Sequence, residues 1–376
     1  MIRSSQWLRS VFAGIVLVGL SACSSGPVKL KPAELGPNPA LLNVRNVWTA
    51  QIGPIDFPLA PAVNGAIVTL AGSQGLVAAL DAASGSVLWR AALNAPLSAG
   101  VGSDGQYAAV VTRSNQLVTL KTGQELWRTP VKADVYTAPL VAGARVFVLA
   151  ADRSVSAFDA QTGARLWQNQ RPGEALVLRQ GGVLMAVGNT LVVGLSGRLV
   201  GMNPSTGAVL WEVPVATPRG TNDIERLVDL VAGVGRQGDV ICTRAFQAAV
   251  GCVDAQKGRL NWKHAAQGSV GLAGDTQQVY GVEEDGRVMA WRLGGGEQVW
   301  QADGLRYRQL TAPLVIGRSV AVGDANGWIH LLSRADGSVL TRLGTDGSGM
   351  AATPVEVAGT LVAVTRRGGV YGYRPD

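Results

Sequence analysis

The sequence predicts an all-β fold, an eight-bladed β-propeller whose N-terminal strand closes the last blade. Three observations predict it: a turn-and-Trp phrase that recurs about every 40 residues, glycine hairpin turns between short apolar runs, and two end segments that complement each other. A period of roughly 40 residues, with four short strands in each unit, is typical of a propeller blade.

The recurring phrase is a tight turn whose Gly precedes a Trp by four residues. The six pairs are Gly85 and Trp89, Gly123 and Trp127, Gly163 and Trp167, Gly207 and Trp211, Gly258 and Trp262, and Gly296 and Trp300. A seventh copy keeps Gly337 but has Thr341 where the Trp is expected. Glycine allows the positive φ of the turn, and the indole offers a large apolar face that can pack between neighbouring blades.

Two end segments complete one blade between them. Residues 44–52, which include Trp48, form a lone outer strand ahead of the first complete blade, and the sequence finishes at 370–373 without a final Gly-plus-Trp strand. Pairing the two segments gives eight blades and leaves no exposed edge at the point of closure. A seven-bladed ring would leave one of the segments unpaired.

The N-terminal region has the features of an exported lipoprotein. Basic residues precede an apolar run over residues 11–20, which is too short to span a bilayer and is typical of a secretory signal. The Leu-Ser-Ala-Cys phrase that ends at Cys23 has the form of a lipobox, in which Cys23 becomes the acylated first residue. The alternative is an ordinary signal with an incidental Cys.

The predicted domains follow from these features. Residues 1–22 are the signal peptide, 23–40 are the acylated N-terminus and a flexible tether, and 41–376 are the propeller. The tether prediction depends on four Pro residues and the lack of a periodic apolar pattern.

Cys242 and Cys252 flank a predicted hairpin. If its turn lies near Phe246 and Gln247, the two thiols lie opposite each other on paired strands, and in an exported protein they are expected to form a disulfide. The alternative is a pair of small buried residues. A redox role is disfavoured because the pair lacks CxxC spacing.

No catalytic site, metal site or cofactor is expected. His264 and His330 are the two imidazoles, each with a structural role predicted, and no HExxH, GxSxG or P-loop motif occurs. The Asp residues of the recurring phrase occupy turn positions, which accounts for them without a metal. The formal charge is +7, but the basic residues are scattered, so no nucleic-acid partner is expected.

The two longest intervals between Trp anchors are consecutive, between Trp167 and Trp262. They contain the segments 172–182 and 214–232, which depart from the repeat. Such departures are where function can be added, and Leu, Arg and Asp on loops suit a protein interface. The alternative is that Leu176 and Leu178 begin an inner strand.

The lipobox, the Pro-rich tether and eight blades marked by (Asp/Asn)-x-x-(Ser/Thr)-Gly-x-x-x-Trp resemble the BamB family, outer-membrane lipoproteins of the β-barrel assembly machinery. The more specific segments are Leu176-x-Leu178-Arg179, residues 224–229 and residues 320–327. The resemblance implies a non-catalytic scaffold without a cofactor, lipid-anchored in the outer membrane and facing the periplasm.

The resemblance also implies partners. Leu176, Leu178, Arg179 and Asp229 are expected to contact the periplasmic POTRA domains of the barrel-inserting subunit, BamA. Nascent outer-membrane proteins are a second expected partner, by strand addition to unpaired sheet edges. One departure concerns Val231, which stands where the family pattern has a second acidic residue.

Two rival functions remain at this stage. One is a generic periplasmic propeller that acts as a scaffold or binds a ligand. The other is a PQQ-dependent dehydrogenase, which shares the repeat but uses a longer chain and an acidic catalytic residue near a Ca²⁺ site.

Overall fold

The computed structural model describes residues 30–171, 176–219, 221–223 and 225–376. Within these ranges the chain forms 32 strands, arranged as eight four-stranded antiparallel sheets. No helix in the described residues is long and apolar enough to cross a membrane.

Each sheet is one blade, and its strands are numbered from the first, which contacts the first strands of neighbouring blades, to the fourth at the outside. Blade 8 contains β30 (Val355–Val357), β31 (Thr360–Val364), β32 (Gly369–Pro375) and, as its fourth strand, β1 (Val44–Gln51). Blade 1 contains β2 (Ala62–Asn64), β3 (Ile67–Ala71), β4 (Leu76–Asp81) and β5 (Val87–Ala92). Blade 2 contains β6 (Leu97–Ser103), β7 (Tyr107–Thr112), β8 (Gln116–Lys121) and β9 (Gln124–Pro130). Blade 3 contains β10 (Leu140–Ala142), β11 (Arg145–Leu149), β12 (Ser154–Asp159) and β13 (Arg165–Gln170).

The remaining blades follow the same plan. Blade 4 contains β14 (Leu184–Val187), β15 (Thr190–Leu195), β16 (Arg198–Met202) and β17 (Val209–Pro214). Blade 5 contains β18 (Leu230–Gln237), β19 (Val240–Ala245), β20 (Ala249–Asp254) and β21 (Arg259–Ala265). Blade 6 contains β22 (Leu272–Gly274), β23 (Gln278–Val282), β24 (Val288–Arg292) and β25 (Gln298–Ala302). Blade 7 contains β26 (Leu314–Ile316), β27 (Ser319–Gly323), β28 (Trp328–Ser333) and β29 (Val339–Gly344).

Pairing of β1 with β32 closes the ring. The two strands are antiparallel, with Val44 opposite Pro375 and Gln51 opposite Gly369. The predicted eight-bladed closure is therefore confirmed, and the seven-bladed alternative is wrong. The second and third strands of the blades are almost entirely buried, which explains why they read as continuous apolar runs.

The recurring Gly and Trp form the contact between one blade and the next, which we call the Trp–Gly joint. The indole of Trp167, on β13, lies 2.5 Å from the point where a Cβ on Gly207 would stand, and the φ of Gly207 is 72°. The Trp167 Nε1–H donates to the Pro204 carbonyl at 2.9 Å. Equivalent joints are Trp48 on Gly85, Trp89 on Gly123, Trp127 on Gly163, Trp211 on Gly258, Trp262 on Gly296 and Trp300 on Gly337.

Blade 7 has Thr341 in place of the Trp because its neighbour has no turn to receive one. In blade 8 the third and fourth strands are β32 and β1, which come from opposite ends of the sequence, so no glycine turn joins them. Thr341 is buried instead. The one irregular copy of the phrase therefore marks the place where the ring closes.

Residues 33–41, which we call the strap, cover the outer edge of blade 7. The Leu41 N–H donates to the Leu340 carbonyl at 2.7 Å, and the Asn38 side chain bonds both the N–H and the carbonyl of Arg342. At the other end of the strap, the Ala33 N–H donates to the Arg306 carbonyl at 2.9 Å.

The strap changes the predicted domain boundary. The compact unit that contains the propeller begins at Ala33, not at residue 41, so residues 33–40 of the predicted flexible tether are bound to blade 7. Side chains of Arg308 and Arg342 supply donors to strap carbonyls, which compensates for backbone that forms no sheet. Residues 1–29, which include Cys23, lie outside the described residues.

The two faces of the ring differ in what they carry. The connection face contains the connections between blades and the turns between second and third strands. The opposite face contains the turns between first and second and between third and fourth strands. The described residues between β13 and β14, and those between β17 and β18, belong to connections and therefore lie on the connection face.

Candidate partner-docking site

Residues 176–180, which we call the docking loop, lie in the connection from blade 3 to blade 4. The side chain of Leu176 is 40% exposed, Leu178 is half-buried, and Arg179 is exposed. Because β14 begins only at Leu184, the alternative that these leucines start an inner strand is wrong. The preceding residues 172–175, and Ile224 in the next connection, lie outside the described residues.

Asp229 supports the docking loop from within the protein. Its Oδ2 accepts a hydrogen bond from the Leu178 N–H at 3.1 Å, and its Oδ1 accepts one from Arg153 Nη1 at 3.0 Å. The Asp229 side chain is only 17% exposed. The structure thus brings Asp229 together with the Leu-x-Leu-Arg segment, and it directs the carboxylate toward the loop backbone.

Arg153 is a residue of the site that sequence analysis missed. It lies in the turn between β11 and β12, and its Nη2 donates to the Leu176 carbonyl at 3.0 Å. Its side chain is 7% exposed. The signal in the sequence was weak: an Arg at a turn position that several other blades fill with Gly.

Arg179 is preoriented by an aromatic neighbour. Its guanidinium lies over the ring of Tyr136, 5.5 Å from the centroid, a cation–π geometry. The Tyr136 hydroxyl donates to Asp134 at 3.0 Å, and burial together with that carboxylate raises the pKa of Tyr136. The Arg179 side chain is therefore both exposed and restricted in direction, which suits recognition of a carboxylate on a partner.

The two residues that follow the docking loop are joined to blade 5. Gly182 forms an isolated antiparallel bridge with Val231, and the Ala232 N–H donates to the Gly181 carbonyl at 2.7 Å. Val231 is buried in β18, so the position of the expected second acidic residue presents no charge on this face. A cavity of about 50 Å³ lies beneath the loop, far smaller than a typical small-molecule site.

Cys242 and Cys252 are directly opposite each other on β19 and β20. Their Cα atoms are 3.9 Å apart, both side chains are fully buried, and the structure joins their sulfurs. The bond lies within blade 5 and does not touch the docking loop.

The two histidines are placed in structural surroundings. His330 is fully buried, and its Nε2 lies 3.1 Å from Asp324, which also pairs with Arg308. Burial lowers the pKa of His330, and the bond to Asp324 only partly opposes that effect. His264 lies against the Trp262 ring, 5.5 Å between centroids. In the described ranges, no group of three or more His, Cys, Asp or Glu could bind a metal ion.

A family model described as outer membrane protein assembly factor BamB matches residues 73–302. The chain belongs to the BamB family. It is 36% identical over 367 residues to outer membrane protein assembly factor BamB of Burkholderia pseudomallei, with 96% of each chain covered. It is also similar to the crystal structure of BamB from Moraxella catarrhalis, with a TM-score of 0.79, 25% identity, and coverage of 88% of this chain and 99% of that one.

The propeller also resembles an enzyme. A quinohemoprotein alcohol dehydrogenase from Comamonas testosteroni matches with a TM-score of 0.68 and 14% identity, over 89% of this chain and 77% of that one. At that identity the likeness shows the fold alone. Membership of the BamB family therefore decides against the dehydrogenase alternative.

Proposed function

We propose that the protein is a non-catalytic scaffold of outer-membrane β-barrel assembly that docks onto the POTRA domains of a BamA-like subunit. The observation that carries the proposal is the docking loop, where Leu176 and Arg179 are exposed while the loop backbone is fixed from within by Asp229. Family membership supports the assembly role, and the position of the loop on the connection face supports the docking role.

The chemistry of the loop suits a protein partner. Exposed leucines lose water-accessible apolar surface on docking, while the guanidinium of Arg179 can pair with a carboxylate and fix the orientation of the partner. A small number of such residues usually dominates the binding energy of an interface. Because Arg153 and Asp229 already restrict the loop, docking loses less conformational entropy than it would with a mobile loop.

We also propose that a lipid on Cys23 anchors the protein in the outer membrane, with the propeller in the periplasm. The lipobox supports the modification. The strap supports the arrangement, since Ala33 contacts Arg306 and Arg308 in the connection between blades 6 and 7. Ala33, at the start of the strap, therefore lies on the connection face, which also carries the docking loop.

The test is a binding titration of the detergent-solubilised full chain with purified POTRA domains. The Leu176→Ala, Arg179→Ala double variant is expected to bind roughly 10- to 100-fold more weakly than wild type, the loss typical of interface hot-spot residues. The matched control is the Leu88→Ala, Arg90→Ala double variant, which removes an exposed Leu and Arg from β5.

The outcomes separate the parts of the proposal. Equal binding by wild type and both variants would show that docking occurs elsewhere on the propeller. No binding by wild type would refute the POTRA partner itself. A loss in the control as large as in the docking-loop variant would point to a general surface effect.

A second candidate partner is a nascent outer-membrane protein in an extended conformation. The strap supports it, because a segment of this chain already lies along the outer strand of blade 7, where the Leu41 N–H bonds the Leu340 carbonyl and the Asn38 side chain bonds the backbone of Arg342. Exposed leucines stand on the outer strands of blades 1 to 4, at Leu88, Leu126, Leu166 and Leu210. Fluorescence anisotropy of a labelled, unfolded outer-membrane protein should rise on adding the full chain, and no rise would exclude this partner.

A further inference from the structure

We infer that Arg153 is a positioning residue for the docking loop: together with Asp229 it sets the backbone of Leu176 and Leu178 without contacting the partner itself. The inference rests on the proposed function for what the loop binds. The way in which the loop is held is argued from the contacts of Arg153 alone.

The Arg153–Asp229 pair ties three separate segments together. Arg153 belongs to the turn between the second and third strands of blade 3, and Asp229 immediately precedes the first strand of blade 5. The docking loop lies between them in sequence and is hydrogen-bonded to both. Arg153 Nη2 bonds the Leu176 carbonyl, and Asp229 Oδ2 bonds the Leu178 N–H.

These two bonds act at the residues that flank Val177. Arg153 donates to the carbonyl of Leu176, and Asp229 accepts from the N–H of Leu178. Arg153 and Asp229 are also bonded to each other, with 3.0 Å between Nη1 and Oδ1. The planar guanidinium can serve both acceptors at once, a geometry that a Lys ammonium does not reproduce. The segment 176–178 therefore has a defined backbone path, with the Leu176 side chain left exposed.

The turn that carries Arg153 gives independent support. The Arg153 N–H bonds the Ala150 carbonyl, three residues earlier, and the same bond occurs in the corresponding turns of blades 1, 2, 5, 6, 7 and 8. At the matching position four of these turns have glycine with positive φ, at Gly75, Gly286, Gly327 and Gly368, while blade 2 has Asn115, also with positive φ. Arg153 adopts a φ of 63°, which is unfavourable for a residue with a Cβ.

Glycine would therefore suit this turn better than Arg153 does. The ion pair is also a poor source of stability, because desolvation of two nearly buried charges offsets much of their attraction. What the side chain does provide is a fixed geometry for the Leu176 carbonyl and the Asp229 carboxylate. Both observations are explained if Arg153 is present for the docking loop.

This role differs from that of Arg179. Arg179 is exposed and lies over Tyr136, so it can touch a partner directly. Arg153 is nearly inaccessible and can influence binding only through the residues it holds. Loss of Asp229 should likewise weaken docking by releasing the Leu178 N–H.

The test compares Arg153→Gly with wild type by hydrogen–deuterium exchange and by POTRA titration, both on the detergent-solubilised full chain. Glycine suits the turn, as it does in four other blades, so the variant is expected to fold without loss of thermal stability. The matched control is Arg113→Ala, which removes an exposed Arg from the corresponding turn of blade 2, where it pairs with Asp56 at 2.7 Å.

We expect peptides that cover residues 176–182 to exchange at least about tenfold faster in Arg153→Gly, with exchange elsewhere unchanged. POTRA binding should weaken at least about fivefold, and Arg113→Ala should match wild type in both measurements. Unchanged exchange over 176–182 would overturn the inference. Faster exchange with unchanged POTRA binding would also overturn it, because the loop would then not be the docking surface.

A double variant separates a positioning role from a direct one. If Arg153 acts through Leu178, the combined Arg153→Gly, Leu178→Ala variant should lose less affinity than the product of the two single losses. Fully independent losses would contradict the inference. If wild type itself fails to bind POTRA domains, the proposed function fails, while the exchange result still decides whether Arg153 holds the loop.

Discussion

Strand β13 follows the repeat, whereas the connection after it departs from the repeat. Trp167, on the strand, packs against Gly207 of the next blade in the same way as its counterparts around the ring. A few residues later the docking loop abandons the repeat and is fixed by Arg153 and Asp229. The difference teaches that residues matching the repeat hold the ring together, whereas residues departing from it are available for a partner.

The largest expected effect is on the ring. Trp167→Ala removes the indole from the Trp–Gly joint between blades 3 and 4 and should lower the free energy of unfolding by about 3–5 kcal/mol. Chemical denaturation measures this loss, with Leu166→Ala as the control because that neighbouring side chain is 47% exposed. If the folded Trp167→Ala protein also loses affinity for POTRA domains, the residues that hold the ring cannot be separated from those that bind the partner.

The next effect concerns the blade that Asp229 precedes. Replacing Cys242 and Cys252 together by Ala should lower the free energy of unfolding by about 2–4 kcal/mol, because the unfolded chain gains freedom and a buried contact is lost. POTRA affinity should stay within twofold of wild type. Weaker binding would show that blade 5 and the docking loop are mechanically coupled and not separable.

A smaller effect is expected from pH, at blade 7. His330 has a lowered pKa in the folded protein because burial disfavours its charged form, so the unfolded chain binds more protons below about pH 6.5. Stability should therefore decrease as the pH falls from about 6.5, by at most about 1.4 kcal/mol per pH unit from this group.

Asp324 adds a second loss at lower pH. Burial would raise its pKa, but hydrogen bonds from His330, the Trp328 N–H and Arg308 outweigh burial and lower it. Its contribution is present above the usual Asp pKa near 3.8 and is lost as the pH falls below it. The free energy of unfolding, measured by denaturation between pH 7 and 5, should depend less steeply on pH in His330→Gln than in wild type. An equal pH dependence in wild type and His330→Gln would exclude His330 as the source.

The repeat could be predicted from sequence because it is encoded locally. A Gly and a Trp four residues apart mark a turn and a strand, and the same pair also forms the contact with the next blade. Recognising the spacing therefore predicts strands, blade number and blade packing together. Even the missing Trp at Thr341 is informative, since it marks the blade beside the ring closure.

The proposed docking site could be predicted only in part. Leu176, Leu178 and Arg179 stand out because they interrupt the repeat, but the direction of the Asp229 carboxylate depends on Arg153, which is distant in sequence. The strap was missed for the same reason. Its Pro content is typical of a tether, whereas the side chains that bind it, from Arg308 and Arg342, lie about 300 residues away in the chain.

The closure of the ring has a consequence for engineering. Residues 43–45 and 374–376 lie side by side: the Asp376 N–H bonds the Asn43 carbonyl, and Arg45 pairs with Asp376 at 2.8 Å. The backbone is thus nearly a circle, cut on the opposite face from the docking loop. A circular permutant that joins these residues and opens the exposed turn at Gly188 and Asn189, which carries no Trp–Gly joint, should keep the propeller. A fluorescent protein fused after Asp376 should leave the connection face clear.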